Sequence, residues 1–202
     1  MGRTSPHKKS VEYWSRLWEK IHKRVQEYVE DASGGLIMSK SVLNQRKILA
    51  VDDEPDVLAV LKDEIGASCT DCRVDSATTY DEAVKLLSSN EYDLIILDIM
   101  GVRGFDLLEM AVSKKMRAVM LTAHALSPEN LKRAHDMGAR AYLPKQKLGE
   151  IVPFLEDALK YEFEPGWKRN LEVLKDVLSD LWGRDWEKIE KDVGTKMSPR
   201  ES

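Results

Sequence analysis

The chain has 202 residues, of which 43% are hydrophobic and 33% charged, and its formal net charge is −4 at pH 7. This length suffices for one domain with additional elements or for two small domains. A mildly acidic chain offers no general attraction for nucleic acid, and no apolar run approaches the roughly 18 residues of a membrane-spanning helix. Because the first residues also lack the apolar core of a secretory signal, we expect a cytoplasmic protein without a membrane span.

Residues 1–37 are predicted to form a helical extension and a linker. Within residues 8–31, apolar side chains recur at steps of three and four, the spacing of a narrow helical seam. The members of this seam are Val11, Trp14, Trp18, Ile21, Val25 and Tyr28. Glycine and serine residues then mark a linker that precedes the next part of the chain.

Residues 46–162 alternate five predicted strands with five predicted helices, a pattern typical of a parallel sheet covered on both faces. The strands are RKILAVDD, CRVDSA, YDLIILD, RAVMLTA and ARAYLPK. Pro55 suits the first turn of a helix, and we expect that helix to bury Val57, Leu58, Val60, Leu61 and Ile65. Ser127 and Pro128 mark the start of the fourth helix and Gly138 its end. Cys69 and Cys72 lack the second pair that a zinc site needs, so we interpret them as reduced thiols in a loop.

Residues 163–202 are predicted to be a C-terminal helical extension with a disordered tail. Pro165 and Gly166 are expected to interrupt the chain, and a helical stripe follows, made of Trp167, Leu171, Leu174, Leu178 and Leu181. A second stripe, after a kink at Gly183, comprises Trp182, Trp186, Ile189 and Val193. All five tryptophans lie in the two extensions, where such stripes are either covered or form partner surfaces. We expect Trp14, Trp18, Trp167, Trp182 and Trp186 to pack within the chain, to form a homodimer, or to bind another signalling protein.

Polar residues follow the predicted strands where each one ends. Asp52 and Asp53 end the first strand, Asp98 the third and Thr122 the fourth, and Lys145 follows the fifth. Ligands bind at this edge of a parallel sheet, so we expect these side chains to meet there, with Asp98 exposed. Neighbouring carboxylates raise one another's pKa unless a cation such as Mg²⁺ offsets their repulsion. With a lysine and a threonine to hold phosphoryl oxygens, the set predicts phosphoryl transfer to a carboxylate.

The segments ILAVDDEPDVL, YDLIILD, VMLTAHAL and GARAYLPK make residues 46–162 resemble the receiver domain of two-component response regulators (CheY-like). The resemblance implies a flavodoxin-like, doubly wound α/β fold whose five-stranded parallel sheet has the order 2-1-3-4-5. It implies a signalling phosphoacceptor rather than an enzyme. The phosphoryl group would come from a sensor histidine kinase or a phosphotransfer protein.

The resemblance also assigns roles to residues near Asp98, the implied phosphoacceptor. Asp53 would bind Mg²⁺ directly, Asp52 would act through water, and the backbone carbonyl of Met100 would be a further ligand. Because the apolar Met100 side chain cannot orient an attacking water, we expect slow self-hydrolysis of the aspartyl phosphate, a property that His124 would also tune.

On the neighbouring strands, Thr122 would hydrogen-bond the phosphoryl group and Lys145 would pair with it. The small side chain of Ala123 leaves access to the site. Tyr142 occupies the family's switch position and would move together with Thr122 on phosphorylation.

Two features depart from the family pattern. The loop after Asp98 is short and has Val102 where the family's proline falls, and Gly101 and Gly104 give its backbone freedom. Gln146 replaces a proline that is commonly joined by a cis bond, and a cis bond here would cost about 2.5–4 kcal/mol. These departures leave open an alternative function, a phosphorylation-independent receiver used as an interaction scaffold.

Three other functions fit less well. An aspartate-nucleophile phosphatase would need an acid at the position of Met100, and VDDEPD is unlike the Ser-, Thr- and Gly-rich phosphate loop of a flavin-binding module. The roughly 40 residues after the receiver lack a helix-turn-helix pattern. We therefore expect output through protein–protein contacts rather than DNA binding.

Overall fold

A computed structural model describes residues 41–69, 71–123, 127–182 and 188. Residues Ser39–Trp167 form one compact unit, and the chain from Lys168 onward belongs to a second. Several predicted features lie outside the described residues, namely the helix over 8–31 with Trp14 and Trp18, His124, Gly183 and Trp186.

The first unit alternates strands and helices along the chain. The strands are β1 (Lys47–Val51), β2 (Arg73–Ala77), β3 (Leu94–Asp98), β4 (Arg117–Thr122) and β5 (Ala141–Pro144). The helices are α1 (Pro55–Ser68), α2 (Tyr80–Ser89), α3 (Gly104–Ser113), α4 (Pro128–Asp136), α5 (Ile151–Lys160) and α6 (Phe163–Trp182). A 3₁₀ helix, Lys145–Glu150, connects β5 to α5, and α6 continues into the second unit.

Neighbouring strands are all parallel, and their order is β2-β1-β3-β4-β5. This confirms the predicted flavodoxin-like sheet. Every residue of β3 is buried, as expected for a central strand with helices on both faces. Helix α1 packs against α5 and α2 packs against α3. No helix in the described ranges combines the length and the hydropathy needed to cross a membrane.

Side-chain caps fix where two helices begin. The Thr79 hydroxyl accepts a hydrogen bond from the Glu82 N–H at 3.3 Å, and the Glu82 carboxylate accepts one from the Thr78 N–H at 3.0 Å. This reciprocal arrangement satisfies backbone donors at the start of α2. Ser127 accepts from the Asn130 N–H at 3.1 Å and precedes a proline in the first turn of α4, as the sequence predicts.

Helices α1 and α5 differ from the sequence expectation. Val60 is 41% exposed rather than buried, because the inner face of α1 is formed by Leu58, Leu61 and Ile65. The predicted last helix of the first unit is divided into the 3₁₀ helix and α5. Strand β5, which precedes the 3₁₀ helix, begins at Ala141, two residues after the start of the predicted segment ARAYLPK.

Pro165 and Gly166 do not interrupt the chain, because α6 begins before them at Phe163. The first turn of a helix has N–H groups without intrahelical acceptors, so a proline there removes no hydrogen bond. The interruption lies instead at Tyr161 and Glu162, between α5 and α6.

The first turns of α6 pack on the junction between α4 and β5. Trp167 is fully buried, its indole N–H donates to the Ala139 carbonyl, and its ring meets His135 edge-on with centroids 5.0 Å apart. Trp167 therefore packs within the chain, the first of the three arrangements expected for the tryptophans, and does not lie on an exposed partner surface. The other described members of its stripe are also buried, namely Leu171, Leu174 and Leu178.

Residues before β1 are tied to α5. The Ser41 hydroxyl and the Val42 N–H both donate to Glu156 Oε1, at 2.5 and 3.3 Å, and Leu43 is fully buried. Cys69 and Cys72, between α1 and β2, are joined by a disulfide with Cα atoms 5.8 Å apart. The pairing differs from the interpretation of these cysteines as reduced thiols.

Candidate functional site

The register of the central strands brings two acids side by side. Val51 pairs with Leu97, so Asp52 and Asp98 come next at the carboxyl ends of β1 and β3. One carboxylate oxygen from each of Asp52, Asp53 and Asp98 lies within 4.8 Å of the others. Asp52 is fully buried and Asp53 is exposed. We refer to these three residues as the acid cluster.

Asp98 is only 2% exposed, so the expectation of an exposed side chain is wrong. The N–H groups of Met100 and Gly101 both donate to Asp98 Oδ2, each at 3.1 Å. The loop that follows β3 thus covers one oxygen of the carboxylate. Burial of a charged group requires such partners, because desolvation without them costs free energy.

Lys145 covers the other side of the acid cluster. Its Nζ atom lies 2.8 Å from Asp52 Oδ2, 2.9 Å from Glu54 Oε1 and 3.1 Å from Asp98 Oδ1. The described residues contain no cis peptide bond, so Lys145 is followed by a trans bond to Gln146. One ammonium group therefore faces three carboxylates without any special backbone geometry.

Burial and ion pairing shift the pKa values of Asp52 and Lys145. Burial raises the pKa of the Asp52 carboxyl above its usual range, while the hydrogen bonds from Lys145 and the Glu54 N–H oppose the rise. Burial alone would lower the pKa of the Lys145 ammonium, but the surrounding carboxylates outweigh it and raise that pKa. The lysine is therefore charged at neutral pH, and negative charge remains in excess around it.

Glu54 was not singled out from the sequence. It is the third acid of VDDEP, and its N–H donates to Asp52 Oδ1 at 3.0 Å, which fixes the turn into α1. The glutamate side chain is 61% exposed, so its ion pair with Lys145 adds little stability. The sequence signal that could have identified Glu54 is the run of three acids directly before the proline that starts α1.

The loop after Asp98 uses its residues differently from the sequence expectation. Arg103 has a positive φ of 55°, whereas Gly101 and Gly104 do not, so the freedom of the glycines is not used for a left-handed conformation. The Met100 carbonyl, an implied metal ligand, accepts the Arg103 N–H at 3.2 Å. A carbonyl oxygen has two lone pairs, so this hydrogen bond leaves it able to bind a cation.

Thr122, at the end of β4, and Tyr142, in β5, are in contact. Both are fully buried, and the Tyr142 phenol is hydrogen-bonded by the Thr122 side chain and the Ser127 backbone. Burial raises the pKa of Tyr142, and the two hydrogen bonds partly oppose this rise. A single hydroxyl, that of Thr122, thus connects the edge of the sheet to the aromatic residue of β5. Ala123, the next residue, is half-buried.

The oxygen ligands at this edge fit a hard divalent cation. Mg²⁺ prefers carboxylate and carbonyl oxygens and retains several waters in its coordination shell. The acid cluster supplies three carboxylates, and the exposure of Asp53 leaves one side open to solvent. These residues therefore match the chemistry that a Mg²⁺ site requires.

Comparison with known proteins agrees with the fold described above. The response regulator receiver domain family matches residues 48–155. A gliding motility regulatory protein of Myxococcus xanthus is 34% identical over an alignment of 114 residues, and the match covers 52% of this chain and 14% of that protein. The chain thus spans a small part of that relative's length.

Two solved structures have similar folds. The receiver domain of NtrX from Brucella abortus is 25% identical with a TM-score of 0.50, and the match covers 57% of this chain and 99% of that one. A response regulator from Thermotoga maritima, 16% identical with a TM-score of 0.52 over 58% of this chain and 99% of that one, shows the fold alone. Since the family match spans more than half of the sequence and includes every member of the acid cluster, the chain belongs to the response regulator receiver domain family.

Proposed function

We propose that this protein is a two-component response regulator that accepts a phosphoryl group on Asp98 with Mg²⁺. The observation that carries this proposal is the position of Asp98 between the Lys145 ammonium and two backbone N–H donors, within 4.8 Å of the other acids of the cluster. Phosphoryl transfer depends mainly on positioning and charge neutralisation, and these groups supply both.

In the proposed step, a carboxylate oxygen of Asp98 attacks the phosphorus of a phosphohistidine or an acyl phosphate. A new O–P bond forms while the bond between phosphorus and the donor breaks, and the donor keeps that electron pair. Lys145 and the N–H groups of Met100 and Gly101 offset the negative charge. The Thr122 hydroxyl, which hydrogen-bonds Tyr142 in this structure, would turn from it to donate to a phosphoryl oxygen. Bound Mg²⁺ would supply further neutralisation of the phosphoryl oxygens.

The donor we propose is a sensor histidine kinase or a phosphotransfer protein in the cytoplasm. Output would run through protein–protein contacts of the helical extensions, with homodimerisation as one form, and the chain would have no separate enzymatic activity. The Met100 side chain is 67% exposed and apolar, which supports slow hydrolysis of the aspartyl phosphate. We expect dephosphorylation over minutes or longer, faster in Met100→Asn.

The decisive experiment is intact mass spectrometry after incubation with acetyl phosphate and Mg²⁺. Wild type should gain one phosphoryl unit and Asp98→Ala none. Asp106→Ala removes an acid of α3 whose partner is Arg103, so this control should behave as wild type. Size-exclusion chromatography of the same samples would then test whether phosphorylation drives dimerisation.

A second candidate function is supported by the burial of Asp98, which is 2% exposed and already paired with Lys145. A phosphoacceptor held in this way could be inert, and the domain would then serve as a phosphorylation-independent interaction scaffold. Folded wild-type protein that gains no phosphoryl unit would favour this function over the first.

A further inference from the structure

Gly101, in the loop between β3 and α3, lies directly against Asp53. A Cβ atom built on Gly101 would overlap the carboxylate carbon and both carboxylate oxygens of Asp53. Real Cβ atoms essentially never approach other heavy atoms within 3.0 Å. The Asp53 carboxylate therefore occupies the space that a side chain at position 101 would need.

Backbone conformation does not explain the glycine. Among the described residues, Gly138 is the glycine with a positive φ, and the positive φ of this loop belongs to Arg103. Alanine could adopt the backbone of Gly101 without strain if the Asp53 side chain were elsewhere. What this position requires is the absence of a Cβ beside Asp53.

Gly101 also contacts the phosphoacceptor. Its N–H donates to Asp98 Oδ2 at 3.1 Å, so one residue touches two of the three acids in the cluster. The contact with Asp98 is made by the backbone N–H of Gly101. The close approach of Asp53 is possible because Gly101 has no side chain. Gly101 therefore lies against both acids.

We infer that Gly101 is a positioning residue that holds Asp53 close to Asp98 and thereby sets the affinity of the acid cluster for a divalent cation. The inference rests on the proposed function, in which this cluster binds Mg²⁺. A Cβ at position 101 would displace the exposed Asp53 side chain towards solvent. The cluster would then lose one of its three carboxylates while the sheet beneath it stays intact.

Two other glycines provide matched controls. A Cβ on Gly66, in α1, would meet no atom within 4 Å, so Gly66→Ala should leave the cluster unchanged. A Cβ on Gly104 would overlap the backbone carbonyl of Asp98, which cannot rotate away. Gly104→Ala therefore reports the effect of distorting the loop itself.

The test is isothermal titration calorimetry with MgCl₂ on the full chain, for wild type, Gly101→Ala, Gly66→Ala and Asp53→Ala. We expect Gly101→Ala to weaken Mg²⁺ binding about tenfold or more and Gly66→Ala to bind within about twofold of wild type. If Gly101→Ala binds as wild type does while Asp53→Ala does not bind, the inference is overturned and the proposed function stands. Wild type that fails to bind Mg²⁺ overturns both.

A stability measurement keeps the inference testable if Gly101→Ala is too unstable to titrate. Urea unfolding without metal would compare that variant with Gly101→Ala/Asp53→Ala and Asp53→Ala. If the new Cβ acts through Asp53, the unfolding midpoint recovers in the double variant, because the two substitutions are coupled. An equal loss in both backgrounds would show that the loop itself needs the glycine and would overturn the inference.

Discussion

Replacing Trp167 by phenylalanine tests how α6 is attached to the receiver. The substitution keeps an aromatic ring but removes the indole N–H that donates to the Ala139 carbonyl. Because Trp167 is fully buried, that carbonyl loses its donor in a place with little access for water, which costs about 1–3 kcal/mol. The smaller ring also packs less well against His135, so we expect a total loss of about 2–4 kcal/mol in unfolding free energy.

The assay is urea unfolding of the full chain followed by far-UV circular dichroism, since the substitution removes a tryptophan fluorophore. Phe163→Leu is the matched control, because Phe163 contacts the same His135 ring at 5.2 Å without that hydrogen bond. We expect the control to lose about 1 kcal/mol. A loss below about 0.5 kcal/mol in Trp167→Phe would refute the reasoning, because surface substitutions alone give changes of that size.

Three further predictions follow from other parts of the receiver. Burial, reinforced by Glu156, raises the pKa of the Asp157 carboxyl from 3.8 to about 6, against the opposing effect of Lys160. The native state therefore holds this proton more tightly than the unfolded chain does, and wild type loses stability as the pH rises from about 4 to 6. After allowance for solvent screening, Asp157→Asn should have an unfolding free energy about 1 kcal/mol above that of wild type at pH 7.5 and little above it at pH 4, measured by urea unfolding. The same increase at both pH values would contradict the expected loss of wild-type stability with rising pH. Lys115 is exposed with a φ of 61°, so Lys115→Gly should raise the unfolding free energy by about 1 kcal/mol, and an unchanged value would argue against strain there. Mg²⁺ at ten times its Kd should stabilise wild type by about 1.4 kcal/mol through linkage, an effect that thermal melts should no longer show in Asp53→Asn.

The sheet was predictable from sequence because its strands carry two independent signals. Central strands such as Leu94–Asp98 are apolar at nearly every position, and each ends in a polar residue at the same edge. The strand ends at Asp52, Asp98 and Thr122 then had to lie at the same edge of the sheet once its strands were parallel. The hydrophobic pattern was sufficient to predict a parallel sheet, whereas its strand order was predicted from the resemblance to receiver domains.

Loop geometry and the attachment of α6 were not predictable in the same way. A glycine suggests a left-handed residue, yet the short loop places Arg103 there and uses Gly101 and Gly104 for close approach. Pro165 suggests an interruption, but its effect depends on whether it falls in the first turn of a helix. The burial of Trp167 depends on a carbonyl 28 residues earlier, a contact that no local pattern contains.

The attachment points of the flanking segments have a consequence for the way this domain can be combined with others. Ser41 and Val42 are held by Glu156 on α5, and Trp167 is held by Ala139, two residues before β5, whereas the acids follow the opposite ends of the strands. Segments before residue 41 and after Trp167 could therefore be exchanged between proteins without altering the chemistry of the site. Grafting them onto another receiver would require two acceptors in that receiver. One is a carboxylate at the position of Glu156, and the other is a backbone carbonyl at the position of Ala139 that is available to the indole N–H.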